Sequence, residues 1–320
     1  MQPDRTSVIL HGTISHLLPV GNREESAMPK PDEIGVPSNW GRWGEEDERG
    51  TANLLSAGLV REAARLIQRG TVYSLAAPLS PDGPNLPSRR PTWHVVTTRR
   101  RPDGVLSGAD DVVMMHTHGT THIDALCHIY MGDTLYNGHS SHKILPSGAQ
   151  KCGIQNVGPM VGRGILLDIA GFRGVPHLDS GEAIEPDELD ACAARQGVTI
   201  QPGDTVLIRT GWWQLFGGGA EARQRFYASE PGLSGACGQW FKEHDIVALG
   251  GDNPAVEVIR SWADALPLHQ AVIWGCGGYL IEFLDLERLA ADRVYQFLYV
   301  ATPLRLEGGV GSPIVPLAIV

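Results

Sequence analysis

The apolar positions of this chain fall into a regular pattern from about residue 54 onward. Leu55, Val60, Ala63, Ala64 and Ile67 recur at helical spacing, with Ser56 placed to cap the start and Gly70 to end it. Short apolar runs at Val112 to His116, Gly164 to Ala170, Thr205 to Thr210, Ile246 to Gly250, Tyr279 to Phe283 and Gln296 to Thr302 predict strands. Helices are predicted at Pro186 to Gln196, where proline opens the first turn and Gly197 follows the last, and at Gly235 to His244. Leu79 to Gly108, with Pro81, Pro84, Pro87, Pro91 and Pro102, reads as a long irregular excursion. Helices and strands alternate without a strict βαβ rhythm and without a repeat. The pattern predicts an α/β fold on a mixed sheet rather than a doubly wound one.

Residues 1–35 are polar, lack sustained periodicity and contain a second methionine, Met28. They are expected to be a flexible extension or a misassigned start, leaving 36–320 as a single domain. The formal charge of -10, from 36 acidic and 26 basic residues spread along the chain, argues against nucleic-acid and anionic-membrane partners. A small-molecule substrate fits better. The five cysteines, Cys127, Cys152, Cys192, Cys237 and Cys276, are odd in number and form no CxxC pair, which fits a reducing cytoplasm. No run reaches the length of a membrane span, and no signal peptide is recognisable.

The densest chemistry is the segment from His116 to His128, where His116, His118, His122 and His128 accompany Asp124. Imidazole and carboxylate are ligands that zinc and manganese both accept. His122 and Asp124, two apart, point to one side of an extended segment. Gly119 allows a sharp bend that returns His118 to the same point, while Thr120 and Thr121 disfavour a helix across both histidines. His116 has an ordinary strand-packing explanation. Leu268-His269-Gln270 and Tyr279-Leu280-Ile281-Glu282 add a second imidazole and carboxylate, and Glu282 needs a partner if buried.

His118-Gly119-Thr120-Thr121-His122-Ile123-Asp124, with His128 four residues on, resembles the HxGTHxDxxxH signature of the metal-dependent cyclase family. That family includes bacterial kynurenine formamidase, isatin hydrolase and trans-dienelactone hydrolase. Asn39 to Gly44, Arg49 to Asn53, Arg209 to Trp212, Asp252 to Glu257 and Gly311 to Pro313 are similar to its longer bacterial members. The resemblance implies a swivelling β/β/α fold, a mixed-sheet core flanked by helices, in a homo-oligomer, dimer or tetramer. It implies that His118, His122 and Asp124 hold a first divalent ion, Zn2+ or Mn2+. Asp124 would bridge to a second ion held by His269 and Glu282, so that each subunit carries one or two. His128 would donate and accept the proton. Leu126 and Phe283 stand where the formamidase pattern has proline and asparagine, and the first glycine is displaced to follow His118; these departures spare the ligands and detach the reading from formylkynurenine.

A cation in such a set polarises a carbonyl and activates water, predicting a hydrolase that opens an amide, lactam or lactone in a small carbonyl compound. The alternatives are a polyketide-type cyclase or dehydratase, and a metal-binding relative without catalysis. A thiol nucleophile at Cys127 is disfavoured, because small buried cysteines are common. Trp40 and Trp43, beside glycines, are candidate walls for a substrate ring; Trp212, Trp213 and His94 are weaker ones. No GxSxG, HExxH, Walker-type or GxGxxG motif offers another chemistry.

Overall fold

Five of the expected apolar runs pair into one sheet. A computed structural model describes residues 29–102 and 104–320. Most of the stretch expected to be an extension lies outside the described residues; its described end makes a 3₁₀ turn at Pro31–Ile34 with Pro31 buried. The sheet has nine strands: β1 (Val72–Ser74), β2 (His122–Asp124), β3 (Met160–Asp168), β4 (Thr205–Arg209), β5 (Ala248–Gly251), β6 (Tyr279–Glu282), β7 (Gln296–Ala301), β8 (Gly311–Pro313) and β9 (Leu317–Ile319), in the order β1-β9-β7-β3-β4-β5-β6-β2-β8.

The strands β3, β4, β5 and β6 are parallel, and every other pairing is antiparallel. The mixed sheet is therefore a parallel centre with antiparallel margins. Residues 165–167 of β3 and 206–208 of β4, with Leu249 and Leu280, are at most 1% exposed. Continuous apolar runs of this kind suit strands covered on both faces. Helices at Ala57–Ala64, Pro186–Gln196 and Cys237–Glu243 flank the sheet in sequence. The first is capped as expected, Ser56 Oγ accepting from Leu59 N at 3.3 Å, but it stops at Ala64, short of Ile67. The second ends on Gly197 in the left-handed region at φ 70°. No helix among the described residues is long and apolar enough to cross a membrane.

The proline-rich excursion differs from the expectation. Its later part, Trp93–Arg100, pairs with Ser107–Met114 in an antiparallel hairpin outside the main sheet. The prolines confine the irregular part to residues 79–92, and the β-branched run Val95 to Thr98 then makes a strand. The strand expected to feed the histidines belongs to this exposed hairpin and ends at Met114. His94 lies on it, paired with Asp111 at 2.8 Å in solvent, so it is a surface residue.

Two short pieces of backbone position the chemistry. β2, three buried residues, lies between β6 and β8, with Ile123 opposite Ile281 and His122 opposite Glu282. The run after β5 is fixed by its own polar groups. Asp252 accepts from Thr210 N at 2.9 Å, Thr210 Oγ1 at 2.6 Å and Gly211 N at 2.8 Å. Asn253 donates to the Pro231 carbonyl at 2.7 Å and accepts from Val256 N at 3.0 Å. These bonds hold the ends of β4 and β5 together and set the course of the chain into Glu257.

Candidate metal centre

Register accounts for the first pair of donors. His122 and Asp124 alternate onto one face of β2, and Glu282 lies directly across from His122 on β6. His122 Nε2 stands 3.1 Å from Glu282 Oε2 and 3.6 Å from Asp124 Oδ1. His118 arrives by the expected turn, closed by Gly119 N donating to the His116 carbonyl at 2.9 Å, and its Nε2 is 3.2 Å from Asp124 Oδ1. On β8, Gly311 faces Asp124; a Cβ there would come within 2.5 Å of His118 Nε2. Only glycine leaves space for that ring. His116 stays exposed.

His269 comes from the short helix Pro267–His269, which continues as a π-helical turn at Gln270–Gly275. Its Nε2 reaches Glu282 Oε1 at 3.4 Å, and its Nδ1 donates to Glu257 Oε2 at 2.8 Å. Glu257 also accepts from Leu268 N at 2.7 Å and His269 N at 3.2 Å, so this buried carboxylate fixes the residue and its tautomer together. His122 is oriented likewise, Nδ1 donating to the Thr120 carbonyl at 2.7 Å. In both rings Nε2 is the nitrogen that faces the carboxylates, and it carries the lone pair once the ring is neutral.

The polar atoms between these groups lack ordinary partners. His118 Nε2, His122 Nε2 and both Asp124 oxygens are buried without a hydrogen bond. Buried polar groups in folded proteins are otherwise nearly always paired. Donor atoms of His118, Asp124 and His128 lie within 4.8 Å of one another, as do those of Asp124, His269 and Glu282. Asp124 is common to both groups. The donor types and the orphaned atoms fit a divalent cation.

Electrostatics follow from burial and these neighbours. Burial works against the charge of Asp124, but the imidazoles of His128, His118 and His122 hold its carboxyl well below the usual range. Burial also opposes a charged His269, yet Glu257 and Glu282 outweigh it and raise the ring to about 10. A cation held by this ring would displace that proton. His128, stacked on His118 with centroids 4.2 Å apart, is pushed down to about 4 by burial and stays neutral at pH 7. Its Nε2 is 4.0 Å from Asp124 Oδ1, and its side chain is 25% exposed against 1% for Asp124, making it the group of this pair that meets solvent. Burial pushes the Cys127 thiol up to about 12, which removes it as a nucleophile.

Strain gathers beside these residues. Thr120 has φ 142°, Val256 φ 59° and Phe283 φ 57°, adjoining His118 and His122, Glu257 and Glu282 respectively. Positive φ is costly for β-branched and bulky side chains, at roughly 1–3 kcal/mol each. Phe283 occupies the place where the family pattern has asparagine, a residue that tolerates this backbone. Thr120 Oγ1 is also buried without a partner. Thr120→Gly is therefore expected to raise the stability of chelator-treated protein in urea by about 1 kcal/mol. It also frees the carbonyl that orients His122, so cation affinity falls. Equal affinity in the two proteins would show that the strain does not serve the ring.

All six candidate residues, His118, His122, Asp124, His128, His269 and Glu282, meet in one cluster. Trp40 and Trp43 make their contacts elsewhere. Trp40 donates to the Trp274 carbonyl at 2.8 Å and packs edge-on against that ring, and Trp43 lies under the Arg42 guanidinium. The aromatic group next to the cluster is built from Trp212, Leu215, Phe226 and Phe283, with Leu86 and Tyr227 against it; Phe283 lies 5.8 Å from the His122 ring. Sequence reasoning did not single out Glu257, although it falls in the Asp252–Glu257 run. It also missed Glu230, a fully buried carboxyl whose pKa burial and Glu282 raise well above the usual value.

The cyclase family model matches residues 73–258, more than half of the chain. The chain belongs to the cyclase family. A solved structure described as a novel cyclase is 35% identical to this cyclase-family chain, covering 89% of it and 98% of its own length with a TM-score of 0.84. Isatin hydrolase A from Ralstonia solanacearum, at 23% identity, shares its fold over 78% of this chain and 91% of its own, with a TM-score of 0.58. Isatin hydrolase A from Labrenzia aggregata, solved with benzyl benzoate, is 19% identical over 80% and 94% of the two chains, with a TM-score of 0.59. Among curated proteins none matches the sequence. The fold implied by the signature is thus the fold observed.

Proposed function

We propose that this protein is a metal-dependent hydrolase that opens an amide, lactam or lactone bond in a small carbonyl compound. One observation carries the reading: imidazole nitrogens and carboxylate oxygens converge in a buried cluster in which His118 Nε2, His122 Nε2 and both Asp124 oxygens have no hydrogen-bond partner. His118, His122 and Asp124 would hold one Zn2+ or Mn2+, and Asp124, His269 and Glu282 a second. Such an ion supplies Lewis acidity to a carbonyl and lowers the pKa of water towards neutrality. The chain supplies the rest. Asp124 and Glu282 balance charge, Glu257 and the Thr120 carbonyl fix ring orientation, and His118 and His122 lie too deep to exchange protons with solvent.

His128 is the proton carrier in this reading. It is neutral, stands beside Asp124 and reaches solvent, so its Nε2 is able to take a proton from water and return it to the leaving nitrogen or oxygen. His128 Nε2 also lies near enough to His118 and Asp124 to serve as a ligand. His128→Ala separates the two roles: loss of proton transfer lowers kcat by about 10²–10⁴-fold with the metal content kept. Lost metal would make His128 a ligand, and full turnover would remove it from the mechanism. The activity itself is tested by elemental analysis, then chelation and metal restoration with aryl formamides, isatin and unsaturated lactones as substrates. Metal-loaded protein that turns over none of them would favour the cyclase or carrier readings.

A further inference from the structure

The irregular loop before the hairpin brings a cation to the centre. Asn85 curls residues 79–92 by donating from Nδ2 to the carbonyls of Arg89 at 3.3 Å and Arg90 at 2.8 Å. Asn85 N donates to Tyr227 Oη at 3.0 Å, and Leu86 packs into the aromatic group that contains Phe283. Opposite the loop is the turn carrying His118, at van der Waals distance: a Cβ on Gly119 would come within 2.8 Å of Asn85 Oδ1. Arg89 lies across this contact, its Nη1 donating to the His118 carbonyl at 2.6 Å.

That bond employs one of the five N–H donors of the guanidinium. Among the described residues no carboxylate is within ion-pair distance of Arg89, which is half-buried. Half-buried Arg163 and Arg173 and the buried Arg209 are paired with carboxylates, Asp204 at 2.7 Å, Glu188 at 2.6 Å, and Asp168 and Glu287 each at 2.8 Å, whereas half-buried Arg49 and Arg223, like Arg89, bond to backbone carbonyls but lie away from the cluster. A guanidinium held in place by a loop, partly desolvated and lacking an anion, has the planar fork that binds carboxylates in two-point fashion. It is anchored on the backbone of a residue of the cluster.

We infer that Arg89 is a substrate-binding residue that recognises a carboxylate, so that the amides or lactones taken by this protein are anionic before they are opened. The inference rests on the hydrolase reading for the word substrate, but the anion site itself does not. The anchoring bond to His118 fixes one edge of the guanidinium and leaves the other for the ligand. Neutral analogues of the same shape then bind without a partner for that edge.

The test uses full-length protein stripped with a chelator, so that no carboxylate–metal contact contributes, and titrates benzoate and its neutral isostere benzamide calorimetrically. Wild type is expected to bind benzoate at least about tenfold more tightly than benzamide, the scale of a charge-assisted hydrogen bond. Arg89→Gln abolishes the preference, and Arg89→Lys, which keeps the charge without the fork, retains part of it. Circular dichroism and the zinc content of the reloaded Gln variant report whether the fold and the cluster survive. Absence of benzoate binding, equal affinities for the two probes in wild type, or a preference that survives in a folded Arg89→Gln protein would overturn the inference. A failed metal-restoration assay alongside a benzoate preference would instead sink the hydrolase reading and leave the anion site standing.

Discussion

Asp124→Ala is expected to remove divalent-cation binding and turnover together. Its carboxylate is the one group that stands in both sets of converging donors, with Oδ1 at 3.2 Å from His118 Nε2 and 3.6 Å from His122 Nε2. Losing a partner outside the ligand shell costs roughly 10–100-fold in affinity or activity, and losing the shared ligand costs more. Wild-type protein should gain stability on saturation with zinc or manganese, about 2.7 kcal/mol at a hundred times Kd, because the ion binds only the folded chain. The variant should show no such shift. Asp124→Asn, which keeps the shape and one carbonyl oxygen, should bind one ion weakly at best. Thermal melts with and without metal, read beside elemental analysis, check both. A variant that still melts higher with metal and keeps wild-type stoichiometry would show that Asp124 is not shared.

The sequence was most legible where chemistry and local periodicity coincide. His122 and Asp124 two apart on a strand, and a glycine bend returning His118, required no knowledge of the tertiary fold, and the observed register reproduces both. Buried parallel strands announced themselves as unbroken apolar runs. The hairpin Trp93–Arg100 with Ser107–Met114 was hidden because its apolar residues face solvent and the prolines around it read as loop; only long-range pairing reveals it. Thr120 and Phe283 were illegible for a different reason. Their strained backbones are imposed by the strands and the aromatic group around them, against the preference of the residues themselves. Asn85 and Arg89 lay in the same proline-rich stretch, and nothing in their spacing pointed to a turn twenty-nine residues away.

Glu257 illustrates what spacing cannot show, and its removal should be the most damaging change outside the cluster. The side chain is 1% exposed and accepts three hydrogen bonds, from Leu268 N, His269 N and His269 Nδ1. Glu257→Ala leaves three buried donors without acceptors, and each costs about 1–3 kcal/mol. Some of that is recovered if water enters, so a loss of about 3 kcal/mol in urea denaturation is expected. Glu257→Gln is the more informative variant. When its amide oxygen serves Leu268 N, its NH₂ opposes both the backbone N–H and the Nδ1–H of His269. The ring escapes by moving its proton to Nε2, the nitrogen that faces Glu282 at 3.4 Å. That nitrogen then has no lone pair for a cation. Cation affinity, measured by competition with a chromophoric chelator, should fall about 10–100-fold while the fold is largely kept. Glu257→Gln protein that holds zinc as tightly as wild type would mean that His269 is oriented by Glu282 alone, or does not bind the cation.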